Sequence, residues 1–153
     1  LGRPVDFRAL LQKNGSGKWS ITSIVGRIAG DTHIVSNQAH GGTVAGVTRI
    51  IAQVDPLFPK PSTRLLRQRA LQVAHSFERQ IDGHFAELGI DLAVDMRGNV
   101  WLLEINSKPS KSDDAVTNPA LAIRPSVHKT MDYTCYVTGY PQSLTQRDKK
   151  KRR

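Results

Sequence analysis

The stretch Leu102–Pro109 reads LLEINSKP, an apolar run broken by the carboxylate of Glu104 and, two positions on, by the carboxamide of Asn106. Side chains alternate faces along a strand, so Glu104 and Asn106 project the same way. Asp91 belongs to the strand-like segment on the other side of the MRGN turn, Met96–Asn99. In a hairpin centred near Gly98, Asp91 falls opposite Asn106 or just beyond it. One sheet face then presents two carboxylates and an amide oxygen. Adjacent carboxylates repel, and leaving them unpaired in a half-buried place is costly. Two arrangements relieve that cost. A hard divalent cation, Mg²⁺ or Mn²⁺, takes an all-oxygen donor set and leaves positions for nucleotide phosphates. Alternatively, the acids pair with the surplus Arg and Lys of the chain. Asp95, nearer the turn, is a weaker ligand candidate.

The elements that must position these groups follow from periodicity. VDFRALLQKN alternates, with Val5, Phe7 and Ala9 on one face and Asp6, Arg8 and Leu10 on the other. The turn NGSGK leads to the β-branched segment WSITSIVGRIA, so the two read as a hairpin. GDTH is a further turn, followed by a short strand IVSN and a loop QAHGGT. Leu66, Ala70, Val73, Phe77, Ile81, Phe85 and Leu88 recur every three or four residues and predict one long helix over residues 62–88, begun by Pro61 with Ser62 or Thr63 and stopped by Gly89. GIDLAVDMRGNVWLLEIN is a second hairpin, the Ser/Pro/Asp-rich segment after it a long loop, and Ser126 to about Tyr140 a last amphipathic helix. Hairpins around a long helix predict an α+β fold with an antiparallel sheet.

Bulk properties narrow the function classes. A chain of 153 residues at 39% hydrophobic composition supports one domain with a core. No apolar run approaches the roughly 20 residues needed to span a bilayer, and the start LGRPVDFRAL is not a signal peptide. With no initiator Met and strand-like sequence almost at once, the chain is expected to be a fragment lacking an upstream portion. The single cysteine, Cys135, excludes an intrachain disulfide and a cysteine-built zinc site, and a reducing cytoplasm is the simplest compartment. The net charge is +9, but RDKKKRR at residues 147–153 holds six basic residues and one acidic residue. That run reads as a solvated tail. No interleaved basic–aromatic pattern accompanies it, so no specific nucleic-acid partner is expected.

GIDLAVDMRGNVWLLEINSKPS resembles the C-terminal core of the ATP-grasp superfamily, which includes D-alanine–D-alanine ligase and glutathione synthetase. The resemblance implies that Asp91, Glu104 and Asn106 hold the magnesium ions that bridge ATP phosphates. NQAHGGT similarly resembles the N-x-x-x-G-G loop of glutathione-synthetase-like members, which implies phosphate or substrate contact by Asn37, Gly41 and Gly42. Glycines there let backbone N–H groups approach an anion. Arg27 and Arg8 match family arginines that support phosphate or acyl-phosphate oxygens, a task suited to a permanently charged bidentate donor. Lys13, at the end of the first strand, joins the nucleotide-binding candidates. Neither it nor NGSGK replaces the phosphate-contacting lysines of the upstream half, and NGSGK is not a phosphate loop.

The run RPVDFRALLQKN, GRIA, SNQAHGGT and LLEINSKPS is most similar to the YheC/YheD-like ATP-grasp proteins, which are associated with spore coats in spore-forming bacilli. Residues 1–140 are then the C-terminal part of an ATP-grasp domain, and residues 141–153 a basic, disordered tail. The resemblance implies an ATP- and Mg-dependent ligase that joins an unidentified carboxylate to an amine or thiol through an acyl phosphate. Ser107 and Lys108 would lie near that substrate. The alternative is a non-catalytic spore-coat-associated protein that keeps the fold. Spore-coat partners, spore association and oligomer formation stay open.

Overall fold

The computed structural model describes residues 5–29, 43–54, 57–113 and 123–140. The alternating segment Val5–Lys13 (β1) pairs antiparallel with Trp19–Ile28 (β2), from Val5 opposite Ile28 to Lys13 opposite Trp19, with a register shift between Leu10 and Leu11 that leaves Thr22 as the extra residue on β2. The tight turn between them is closed by Asn14, whose Oδ1 accepts from the backbone N–H groups of Ser16 (3.0 Å) and Lys18 (3.1 Å). An Asn in this position stands in for a backbone acceptor, which is why NGSGK reverses the chain.

Thr43–Gly46 (β3) adds to the outer edge of β2, and Glu87–Val94 (β4) to the other side of β1. Val100–Asn106 (β5) completes the second hairpin, and the five strands run antiparallel in the order β3-β2-β1-β4-β5. Three described helices accompany the sheet: Val47–Ala52 (α1), Thr63–Gln80 (α2) and Pro125–Thr138 (α3). The α+β architecture expected from the hairpins is therefore the observed one. α1 and all of β3 except Thr43, the last residue of the expected loop QAHGGT, lie in residues 44–61, to which the sequence reading assigns no element.

One sheet face is the core. Phe7, Ala9 and Leu11 of β1, Ile24 and Ile28 of β2, and Leu88, Ile90 and Leu92 of β4 meet Leu66, Ala70 and Ala74 of α2. The two alanines let the helix backbone approach the sheet closely, and each large apolar side chain buried there contributes roughly 1.5–3 kcal/mol. Ser62 caps α2 by accepting the Leu65 N–H at 3.0 Å, as the sequence predicts.

The expected single helix over residues 62–88 is divided. α2 ends at Gln80, Ile81 leaves helical geometry at φ −109° and ψ 120°, and Leu88 belongs to β4. Phe85 returns to pack edge-on against Phe77 at 5.0 Å. Helical spacing persists past the helix end because Phe85 and Leu88 reach the same core from the loop and the sheet.

α3 crosses one end of the opposite sheet face, where Ser126 and Thr130 meet Gln12 of β1. Pro125 opens it and Gly139, at φ 68°, closes it, close to the expected limits. The expected strand IVSN, most of the loop QAHGGT and the tail at 141–153 lie outside the described residues. Among the described residues, no helix is long and apolar enough to cross a membrane.

Candidate functional site

The face of the sheet that α2 leaves uncovered carries the charges. Alternation along β1 places Asp6, Arg8 and Gln12 there, and register adds Arg27 opposite Asp6 and Asp91 opposite Arg8. The β4–β5 register puts Asp91 directly opposite Glu104, with Asn106 opposite Gly89. Directly opposed residues share a face, with Cβ atoms roughly 4.5–5.5 Å apart. The three candidate ligands thus share a face as expected, but Asp91 confronts Glu104 rather than Asn106. The offset comes from the turn, which centres on Arg97 rather than near Gly98; a bulge between Asp91 and Leu92, with Leu103 the extra residue on β5, then brings Glu104 rather than Leu103 opposite Asp91. Leu102 consequently packs toward the α2 side while Glu104 faces away from it.

Asp91 is only 5% exposed. Its Oδ1 accepts from Nε of Arg8 and its Oδ2 from Nη2 of Arg8 at 2.7 Å, a bidentate fork. Nη2 of Arg27 reaches the same Oδ2 at 3.0 Å across β1. Arg27 also donates through Nε (2.9 Å) and Nη2 to Oδ2 of Asp6. Two carboxylates and two guanidinium groups therefore balance within one patch. The second arrangement open in the sequence, ion pairing with basic residues, is the one seen at Asp91.

Burial pushes the Asp6 carboxyl above its ordinary range, with the Asp91 charge adding to it and Arg27 opposing. Burial disfavours the Arg27 charge, but the hydrogen bond and charge of Asp6, and then Asp91, outweigh it and hold the guanidinium above its ordinary value. Asp6 is the site residue the sequence reading omits. Its signal was present in VDFR, where i, i+2 spacing puts an acid beside Arg8 on one strand face.

Glu104 is exposed. Asn106 is half-buried, and its Oδ1 accepts the Lys108 N–H at 2.8 Å, closing a turn that starts the SKP segment. Pro109 is buried against Gly89, where an added Cβ would lie 2.8 Å from Pro109 Cβ. The absent side chain at Gly89 is what lets this segment fold back over β4 beside Asp91. Ser107 and Lys108 are exposed at its start.

Lys13 is not brought to this group. It is buried at the far end of β1, ion-paired with Glu78 of α2 and 5.4 Å over the Trp19 ring. Asp95 is also elsewhere, accepting from the N–H groups of Arg97 and Asn99, from Asn99 Nδ2 and from Trp101 Nε1, which makes it the hairpin turn's organiser. Asn37, Gly41 and Gly42 lie outside the described residues.

Among the described residues, no three His, Cys, Asp or Glu side chains gather as a metal cluster. A cation here would rest on Asp91, Glu104, the Asn106 amide and oxygens from a ligand. That donor set is all oxygen and suits Mg²⁺ or Mn²⁺ with phosphates completing the shell.

The profile of the YheC/D-like ATP-grasp family matches residues 1–137. Over 111 residues the chain is 35% identical to the endospore coat-associated protein YheD of Bacillus subtilis (strain 168), covering 72% of this chain and 24% of that protein. It is 25% identical over 135 residues to the endospore coat-associated protein YheC of the same organism, covering 86% of this chain and 34% of that protein. The chain thus spans about a quarter to a third of the curated relatives it matches.

Proposed function

This chain belongs to the YheC/D-like ATP-grasp family, and on that footing we propose that it carries the metal–triphosphate end of an ATP- and Mg-dependent ligase site. Asp91, Glu104 and Asn106 hold the cation, and Arg8 and Arg27 hold phosphoryl oxygens. The observation that supports this most is the direct opposition of Asp91 and Glu104, with Asn106 on the same face and two arginines alongside. When bound, the cation would neutralise charge on the ATP phosphates. A substrate carboxylate oxygen takes the γ-phosphoryl group from ATP, forming an acyl phosphate and ADP. An amine or thiol then attacks the acyl carbon, and inorganic phosphate leaves with the bonding pair. Positioning and electrostatics carry such a transfer, without an enzyme nucleophile. Arg27, held to Asp6 on one side, is pre-oriented for that work.

The ion pairing bears on the metal. Asp91 already accepts three N–H groups, so it shares its remaining lone-pair capacity with a cation or loosens one arginine when phosphate arrives. Either route would keep an arginine beside Asp91, where a phosphate oxygen would meet it. In this reading Asn37, Gly41 and Gly42 are further nucleotide contacts. A cytoplasmic location goes with it.

A second reading is a coat-associated interaction protein that keeps the fold without catalysis. It is favoured by the names of the two relatives and by the charge balance around Asp91, which needs no cation. The two readings separate in a Mn²⁺ titration followed by paramagnetic broadening of backbone NMR signals, with and without ATP. The ligase reading expects ATP-dependent broadening centred on Asp91, Glu104 and Asn106 that disappears in Glu104→Ala and in Asn106→Ala. Broadening elsewhere, or none in a folded chain, supports the coat reading.

A further inference from the structure

A cleft of about 290 Å³ lies where the far end of β1, the start of β4, α3 and the segment after β5 converge, and its wall includes Gln12, Lys13, Glu87, Lys111, Lys129 and Tyr133. Three ammonium groups there meet one carboxylate. Lys13 is committed to Glu78. Burial pushes Glu78 up, but hydrogen bonds from Lys13 and Trp19 outweigh it and keep this acid below its ordinary range. Lys111 holds Glu87 at 2.8 Å, and Gln12 Nε2 fixes the other oxygen of Glu87 at 3.3 Å.

Lys129 differs from both. Its Nζ donates to Ser20 Oγ at 2.9 Å and to the Ile21 carbonyl at 3.0 Å, which are neutral acceptors. It is half-buried, and among the described residues it makes no ion pair. An ammonium taken partly out of water without a counter-charge is unfavourable, and burial, followed by the Arg67 charge, draws its pKa below the ordinary value. The charged groups facing it from the surrounding elements are predominantly cationic: Lys13 on β1, Arg67 on α2 and Lys111 after β5, against Glu87 in the cleft wall and Glu78, which is taken up by Lys13; the His84 ring is hydrogen-bonded to the Tyr133 hydroxyl. An ammonium has three donors, and two are used.

We propose that this cleft binds an anionic group of a small-molecule ligand, a carboxylate or a phosphate, with Lys129 as its principal contact and Lys111 as the second. The anion supplies the missing counter-charge, and charge-assisted hydrogen bonds from two ammonium groups hold it. Glu87 and Gln12 keep Lys111 aimed into the cleft rather than at solvent. Ser107, which follows Asn106, lines the same cleft, so it borders the Asp91–Glu104–Asn106 face. In the ligase reading the ligand is then an acid with a second anionic group remote from the reacting carboxylate. That identification rests on the proposed function; the anion site itself does not.

The test uses the full chain with neither nucleotide nor metal, so its failure is separate from any failure to bind MgATP. Lysines are reductively ¹³C-dimethylated, and inorganic phosphate and, separately, succinate are titrated at constant ionic strength with chloride as balance. Lys129 is assigned by its missing signal in Lys129→Gln. Saturable shifts of the Lys129 and Lys111 signals, with Lys129 deprotonating at higher pH when the anion is bound, are expected. Binding followed at Lys111 should weaken at least tenfold in Lys129→Gln and stay unchanged in Lys60→Gln. Saturation by phosphate alone identifies a phosphorylated ligand, by succinate alone a carboxylate. Equal drift of every lysine signal, or wild-type affinity in Lys129→Gln, overturns the proposal.

Discussion

Asp91 stands directly across the strand pairing from Arg8 and accepts two N–H groups of its guanidinium, while Arg27 reaches over β1 to the same carboxylate. The side chains of Asp91, Arg8 and Arg27 are 7%, 13% and 15% exposed, so the network is nearly dry. Its members were fixed by register alone: each acid faces its arginine across one strand boundary, and a diagonal contact joins the pairs.

Removing one partner from such a network leaves a buried charge behind. Arg8→Met should cost about 3–5 kcal/mol, toward the lower end because Arg27 still faces Asp91. Arg8→Met combined with Asp91→Leu should recover most of that loss, since a well-packed apolar pair needs no counter-charge. Urea unfolding followed by Trp fluorescence measures both. A single variant within about 1 kcal/mol of the parent would show that the ion pair is solvated rather than buried.

Gly89 separates Arg8 from Pro109, and an added methyl would sit 2.8 Å from Pro109 Cβ and 3.5 Å from Arg8 Nη1. Gly89→Ala should therefore lift the SKP segment from β4 at a cost of about 1–3 kcal/mol of overpacking. If the segment moves as a unit, amide exchange at Lys108, whose N–H is held by Asn106, should accelerate more than exchange within β1. Uniform acceleration would mean global destabilisation instead.

The hairpins, the α2 cap and the shared face of Glu104 and Asn106 were legible because period-two alternation and capping chemistry are local. The pairing partner of Asp91 was not. The turn centres on Arg97 rather than near Gly98, and one extra residue, Leu103, then shifts the register by a step that no alternation rule contains. The helix boundary failed for a related reason: Ile81, Phe85 and Leu88 continue the spacing of α2, but the backbone leaves helical geometry at Ile81, Phe85 sits in the connection and Leu88 belongs to β4. Arg8 and Arg27 were identified through a resemblance. Their mutual link through Asp6 and Asp91 required the cross-strand register, which depends on residues more than 80 positions apart.

Asp95 organises the β4–β5 turn by accepting four hydrogen bonds, with Trp101 Nε1 the largest influence on its acidity, then Asn99. Its carboxyl is lowered from 3.8 to about 2. A folded-state pKa below the unfolded value stabilises the fold above the unfolded pKa, and that contribution is lost as pH falls through the folded one. The stability gap between the parent and Asp95→Ala should be constant above pH 5, then close between about pH 4 and pH 2. Urea midpoints at half-unit pH intervals test this. A gap that persists unchanged at pH 2 would assign the effect to turn geometry rather than to the charge.

Gln12 is 2% exposed and joins three elements to β1. Its Nε2 donates to the Ser126 carbonyl (3.2 Å), Thr130 Oγ1 (3.1 Å) and Glu87, and its Oε1 accepts from Thr22 Oγ1 at 2.7 Å. Leu is similar in size but satisfies none of these, and an unsatisfied buried polar group costs about 1–3 kcal/mol. Gln12→Leu should loosen α3 before it loosens the sheet, because the helix depends on this side chain at its first two turns while β1 keeps its ladder to β2 and β4. Hydrogen exchange resolves the order: protection should fall first across residues 128–134 and stay high across Phe7–Leu11. Simultaneous loss in both would make α3 part of one cooperative unit with the sheet, and the Lys129 cleft would then be as rigid as the core.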